Sequence, residues 1–149
     1  RQKKVLLEKI ITKFNGKLKG KRIAIWGLAF KPDTDDMREA PSRILIEGLW
    51  SHDATVTAYD PAAMEEARLV FGNDPRLQFA DTAYSALENA DALVIVTEWK
   101  TFRSPDFSLI KSKLKQPIIF DGRNMYDPGS IRAEGIEYYP IGRNECLLP

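Results

Sequence analysis

Two residue types that build many reactive and structural centres are nearly missing from this 149-residue chain, which has one cysteine, Cys146, and one histidine, His52. A lone cysteine cannot close an internal disulfide, which excludes a cross-linked secreted scaffold and makes the cytoplasm the expected location. Long apolar runs are missing too. Nothing approaches the roughly 20 residues that span a bilayer, and the basic opening Arg1-Gln2-Lys3-Lys4 leads only into a short mixed stretch, so no membrane or export role is expected. Charge of one sign is also scarce: 22 basic and 21 acidic residues leave a net charge of +1, without the basic excess that a nucleic-acid binder uses against phosphate. Any anionic partner must be met by local charges. What is present, 44% hydrophobic residues, is enough to build the core of one ordinary domain.

The apolar pattern is regular. Leu7, Ile10, Ile11, Phe14 and Leu18 recur at spacings of three and four and predict an opening helix, broken by Gly16 and Gly20. Arg1-Gln2-Lys3 offers no side chain to cap its free amides, so a piece of a longer chain is expected. Strands are predicted over Arg22 to Gly27, Thr55 to Tyr59, Leu77 to Phe79, Ala92 to Val96 and Pro117 to Phe120, with a weak one including Tyr138 and Tyr139. Helices are predicted from Pro41 through Leu49, Ala62 to Phe71, Thr82 to about Asn89 and Phe107 to Leu114. This alternation argues for a mostly parallel sheet with helices on both faces. Ligands of such sheets sit beyond the carboxyl ends of the strands. The segments Gly27 to Arg38, Thr97 to Lys100 and Asp121 to Asn124 should gather there.

The first of these segments carries most of the chemistry. It stands where a dinucleotide fold places its glycine-rich phosphate turn, but Gly27 is its single glycine, so a self-sufficient NAD site is not expected. It offers instead a cation, Lys31, beside an aromatic, Phe30, and a second cation, Arg38, just before the helix begun at Pro41. Lysine is a point charge for phosphate, arginine a planar fork of donors, and an aromatic can cover a base or sugar. Plain solvated charges on an exposed loop would read the same way. Asp33-Thr34-Asp35 matches the acidic spacing of magnesium-dependent phosphatases, but Phe30-Lys31-Pro32 separates it from the strand end, which favours turn-forming aspartates able to hold Lys31 or Arg38.

Other candidates are double-edged. Asp60-Pro61 follows the second strand where a dinucleotide site would hold a ribose, although an aspartate before proline is also the expected helix cap. Arg123, after Gly122, lies past a buried strand and suits either a ligand or an ion pair, while Trp99 suits base stacking or internal packing. His52 reads as a surface turn residue, and Cys146 has no visible base. No catalytic residue and no metal site is expected within this chain.

The run from Gly20 to Ser42 closely resembles the start of the nucleotide-binding domain in the UDP-glucose and GDP-mannose dehydrogenase family. Tyr59-Asp60-Pro61, Asp91 to Trp99, Asp121-Gly122-Arg123-Asn124 and Ile141-Gly142-Arg143 follow in the family's order. The resemblance implies a Rossmann-like three-layer sandwich over residues 20–143, preceded by the end of an inter-domain helix and linker at 1–19 and followed by a tail at 144–149. Phe30 to Ser42 is most similar to the branch acting on UDP-glucose; members acting on UDP-N-acetylhexosamines or GDP-mannose share Asp35-Asp36 and Arg38-Glu39. The family oxidises a sugar C6 alcohol twice, giving UDP-glucuronate in that branch, with two NAD molecules and a thiol. By resemblance, Phe30, Lys31 and Arg123 contact the UDP-sugar and Arg38 reaches an NAD bound mainly by another domain. The catalytic cysteine and the glycine-rich NAD turn have no counterpart here, so this piece should bind without catalysing, and its parent should form a homodimer or higher homo-oligomer.

Overall fold

The computed structural model describes residues 4–142. Its elements are α1 (Val5–Lys13), β1 (Arg22–Trp26), α2 (Pro41–Ser51), β2 (Thr55–Tyr59), α3 (Met64–Phe71), β3 (Leu77–Phe79), β4 (Ala92–Ile95), α4 (Phe107–Lys113), β5 (Ile118–Asp121), α5 (Pro128–Ala133) and β6 (Glu137–Pro140). Connections that cross the faces of the sheet, helical in all but the step from β3 to β4, let every strand pair parallel to its neighbours. The result is a six-stranded, all-parallel sheet in the order β3-β2-β1-β4-β5-β6. The chain reverses its winding between β1 and β4, and the crevice at that point is the switch-point position where such sheets hold ligands.

Alternation along the strands sends side chains to two cores. Ile23, Ile25, Val56, Ala58, Val94 and Phe120 join α1 and α2 on one face. Ala24, Trp26, Leu93, Ile95, Ile119 and Tyr138 join Ile110 of α4 and Ile131 of α5 on the other. Period-two patterning therefore builds the expected three layers. Trp26 stacks on Phe102 with ring centroids 4.9 Å apart and donates its indole N–H to the Ala83 carbonyl at 2.8 Å. One methylene lost in such a core is felt as ~1 kcal/mol.

Three elements depart from expectation. The segment from Thr82 to Asn89 forms only a single tight turn at Ser85–Leu87. Thr82 and Ser85 cap each other reciprocally, and Asn89 takes a left-handed φ of 59°, which closes the helix before a second turn. Conversely, α5 has too few residues for a periodic signal, yet Asp127 accepts from the Ser130 amide and Pro128 occupies its first turn. The opening helix also stops at Lys13, and Leu18 is buried in the connection beyond it.

Candidate functional site

The loop after β1 is pinned before it reaches its charged residues. Gly27 has φ 99° and donates its amide to the Tyr59 carbonyl at 2.8 Å. Leu28 and Ala29 are wholly buried, and their amides both donate to Asp60 Oδ2, at 2.7 and 3.0 Å. Ser42, at the start of α2, donates its hydroxyl to the Leu28 carbonyl at 2.8 Å, and Thr97 donates to the Ala29 carbonyl at 2.7 Å. Only then does the chain emerge: Phe30 is 49% exposed, although phenylalanine is ordinarily buried, and Lys31 beside it is exposed. The Phe30 amide donates to the Asp36 carbonyl at 2.8 Å, closing the segment between them into a tight loop. The aspartates divide accordingly. Asp33, with φ 65°, and exposed Asp35 serve the turn, whereas Asp36 grips Arg38 through both carboxylate oxygens at 3.0 Å. The side-chain and backbone hydrogen bonds from Arg38 hold the Asp36 carboxyl down at about 2.

The other two loops join the first at the same edge. Glu98, one residue beyond Thr97, accepts from Arg123 at 2.7 Å, and the Gly122 amide donates to the Ile95 carbonyl at 2.8 Å. Asp121 is buried at the end of β5. It accepts from the Arg123 and Met125 amides at 2.9 and 2.8 Å and from the Tyr138 hydroxyl at 2.6 Å, so Arg123 springs from a fixed turn. A cleft of about 350 Å³ opens beside it, lined by Leu6 and Leu45, by Pro41 at the start of α2, by Val96, and by Gly122, Arg123 and Asn124. Gly122 lets the backbone pack closely within the protein: a Cβ there would lie 2.7 Å from Leu6 Cδ1 and 2.8 Å from the Ile95 carbonyl.

The structure thus places Phe30, Lys31 and Arg123 on loops joined through Thr97 and Glu98. Arg38 faces elsewhere, in a second cleft of about 540 Å³ shared with Arg43, Glu66 and Val70. Trp99 gives its indole N–H to Asp60 at 3.1 Å and is half-buried, which is the packing role. His52 caps its turn through Gly48 and Ser51. Cys146 and Arg143 lie outside the described residues. Sequence reading missed Glu98 and Thr97 as organisers. Their partners are 25 and 68 residues distant, and no local pattern signals such a pair.

Fold and site together define a doubly wound α/β domain with an exposed aromatic-cation pair and a buried-turn arginine at its switch-point edge. The chain belongs to the UDP-glucose/GDP-mannose dehydrogenase family, whose UDP binding domain it matches over residues 24–128. It is 46% identical over 146 residues to a UDP-glucose 6-dehydrogenase of Pseudomonas aeruginosa, covering 96% of this chain and 32% of the relative. A second UDP-glucose 6-dehydrogenase, from Rhizobium meliloti, is 42% identical and is matched over 95% of this chain and 32% of its own length. Among solved structures, a UDP-glucose dehydrogenase from Pyrobaculum islandicum superposes with a TM-score of 0.75 at 27% identity, covering 93% of this chain and 29% of that one. An NDP-N-acetyl-D-galactosaminuronic acid dehydrogenase from Methanosarcina mazei gives 0.76 at 27% identity, over 95% and 29%. The chain therefore spans about a third of the length of the curated relatives it matches.

Proposed function

We propose that this chain is the UDP-sugar-binding domain of an NAD-dependent UDP-glucose 6-dehydrogenase, and that it binds substrate without itself performing the oxidation. The observation that carries this reading is the joining of Lys31 and Arg123 at one sheet edge, in a chain whose UDP-binding family match covers both loops. Lys31 makes no hydrogen bond or salt bridge among the described residues, which leaves its ammonium available to a diphosphate, and Phe30 beside it presents an apolar face for a base or sugar. Arg123 reaches the same ligand by exchanging its Glu98 partner for phosphate or sugar oxygens.

NAD does not fit the first turn of this domain. A dinucleotide turn needs bare backbone against the pyrophosphate, but the space beside Gly27 is filled by the Thr97 backbone and side chain. The cofactor belongs on the part of the parent protein beyond this chain, with Arg38 as the contact offered from this side. The domain division at residues 19/20 and 143/144, a cytoplasmic location and a homo-oligomeric parent form part of the same reading. Among the described residues no helix is long and apolar enough to cross a membrane.

Structures named for UDP-glucose and for N-acetylhexosamine derivatives superpose equally well, so backbone shape does not choose the sugar. The choice of UDP-glucose rests on the 46% and 42% identities to enzymes named for it. Calorimetric titration of the chain with UDP, UDP-glucose, GDP-mannose and NAD tests the reading. Binding of the UDP compounds alone, weakened by about 1 to 3 kcal/mol in Lys31→Ala, is the expected result. Equal binding of GDP-mannose, or UDP binding indifferent to Lys31, would sink it.

A further inference from the structure

Asp60 stands immediately beyond β2, where a dinucleotide fold places the acid that holds a ribose. Here it is wholly buried and already saturated. Oδ2 accepts from Leu28 N at 2.7 Å, Ala29 N at 3.0 Å and Trp99 Nε1 at 3.1 Å, and Oδ1 accepts from Ala62 N and Ala63 N, both at 2.8 Å. A carboxylate offers about four lone-pair directions, so five donors leave nothing for a ligand. The expected helix cap is not made: α3 begins at Met64 behind Ala63, and Oδ1 of Asp60 holds only the turn that precedes it. The remaining three bonds run to two other loops. One loop carries Phe30 and Lys31; in the other, Trp99 follows Glu98, the partner of Arg123.

We infer that Asp60 is a positioning residue for the nucleotide site: a buried acceptor that sets the exit of the Lys31 loop and, through the Trp99 indole, the segment that aims Arg123. Its role in ligand binding rests on the proposed function, whereas the clamp itself does not. The chemistry makes the case specific to a carboxylate. An asparagine of the same size carries one acceptor oxygen and one NH₂ group. Whichever way the amide is turned, its N–H groups face two backbone N–H groups, either those of Leu28 and Ala29 or those of Ala62 and Ala63. Burial makes such a clash costly, because no water is there to relieve it.

The test uses Asp60→Asn in two arms. Hydrogen exchange in the ligand-free chain reads the clamp through the Phe30 amide, which donates to Asp36 and not to Asp60. Its exchange should rise about tenfold, the loss equivalent to one net hydrogen bond, while the Ile25 and Val94 amides in the sheet keep their protection. Unchanged Phe30 exchange overturns the clamp. Titration with UDP reads the site. Asp60→Asn should weaken affinity about tenfold or more, and Lys31→Ala should then cost much less than it does in the wild-type background. Additive losses would reduce Asp60 to a general stabiliser and overturn its positioning role. Should Asp60→Asn fail to fold, Trp99→Phe keeps the carboxylate and cuts a single bond. It should lower the exchange protection of the backbone amide at position 99, which donates to the Thr97 carbonyl, and lower UDP affinity several-fold, and no change in either overturns the inference. A wild-type chain that fails to bind UDP sinks the nucleotide reading and the role in that site, with the Phe30 arm still deciding the clamp.

Discussion

Gly27 and Thr97 meet where the first and fourth strands release their loops, with no room for a methyl group between them. A Cβ on Gly27 would lie 2.5 Å from the Thr97 amide nitrogen and 2.6 Å from its Cβ, at a φ of 99° that side chains resist. Gly27→Ala should therefore cost about 3 kcal/mol or more, from backbone strain plus overpacking. Urea unfolding checks this; a loss below about 1 kcal/mol would mean that the two loops can part easily.

Arg38 and Asp36 make a test of pH dependence. Arg38 hydrogen bonds depress the Asp36 carboxyl from 3.8 to about 2. A depressed acid binds fewer protons in the folded state, so its contribution is present above its ordinary value and is lost as pH falls through the folded one. Loop order around Arg38 should weaken between pH 3.8 and about 2. Arg38 is exposed and Asp36 only half-buried, so the change in global stability should be small. Arg38→Ala should return the Asp36 titration toward 3.8, read by carboxyl NMR, while UDP affinity is unchanged because Arg38 lines the other cleft.

Glu98 reports on Arg123. Partial burial alone would raise its carboxyl, but the hydrogen bond and charge of Arg123 outweigh that and hold it below 4.5. Arg123→Gln should raise it. Saturating UDP should raise it as well if phosphate draws the guanidinium away, a shift that a purely structural ion pair would not show.

Tyr126 donates its hydroxyl to the Phe102 carbonyl at 2.6 Å. Burial, and then the neighbouring charge of Asp121, push its phenol far above the ordinary 10. Because the unfolded phenol ionises first, the stability it lends is intact below pH 10 and declines above it. Ultraviolet titration should show Tyr126 among the tyrosines that ionise only as the chain unfolds. Tyr126→Phe should remove its share of that delayed step and cost about 1 to 2 kcal/mol for the orphaned carbonyl.

Layering, strand count and the segments at the carboxyl edge were legible because alternating and helical periodicity are local properties, readable in runs such as Arg22 to Trp26 or Ala92 to Ile95. So was the family resemblance, carried by the long loop from Phe30 to Ser42. The Ser85–Leu87 turn was read as a longer helix and α5 went unread because elements of three and six residues are decided by caps, which outweigh periodicity at that length. Which acid holds which loop was beyond sequence. Asp36 meets Arg38 two residues away, but Asp60 meets Trp99 across 39 residues and Thr97 meets Ala29 across 68. Composition and spacing determine that the chain has cations, an aromatic and buried acids near its strand ends. Only the tertiary structure decides which of them are spent on backbone amides and which remain exposed to a ligand, because that choice is made by strand order.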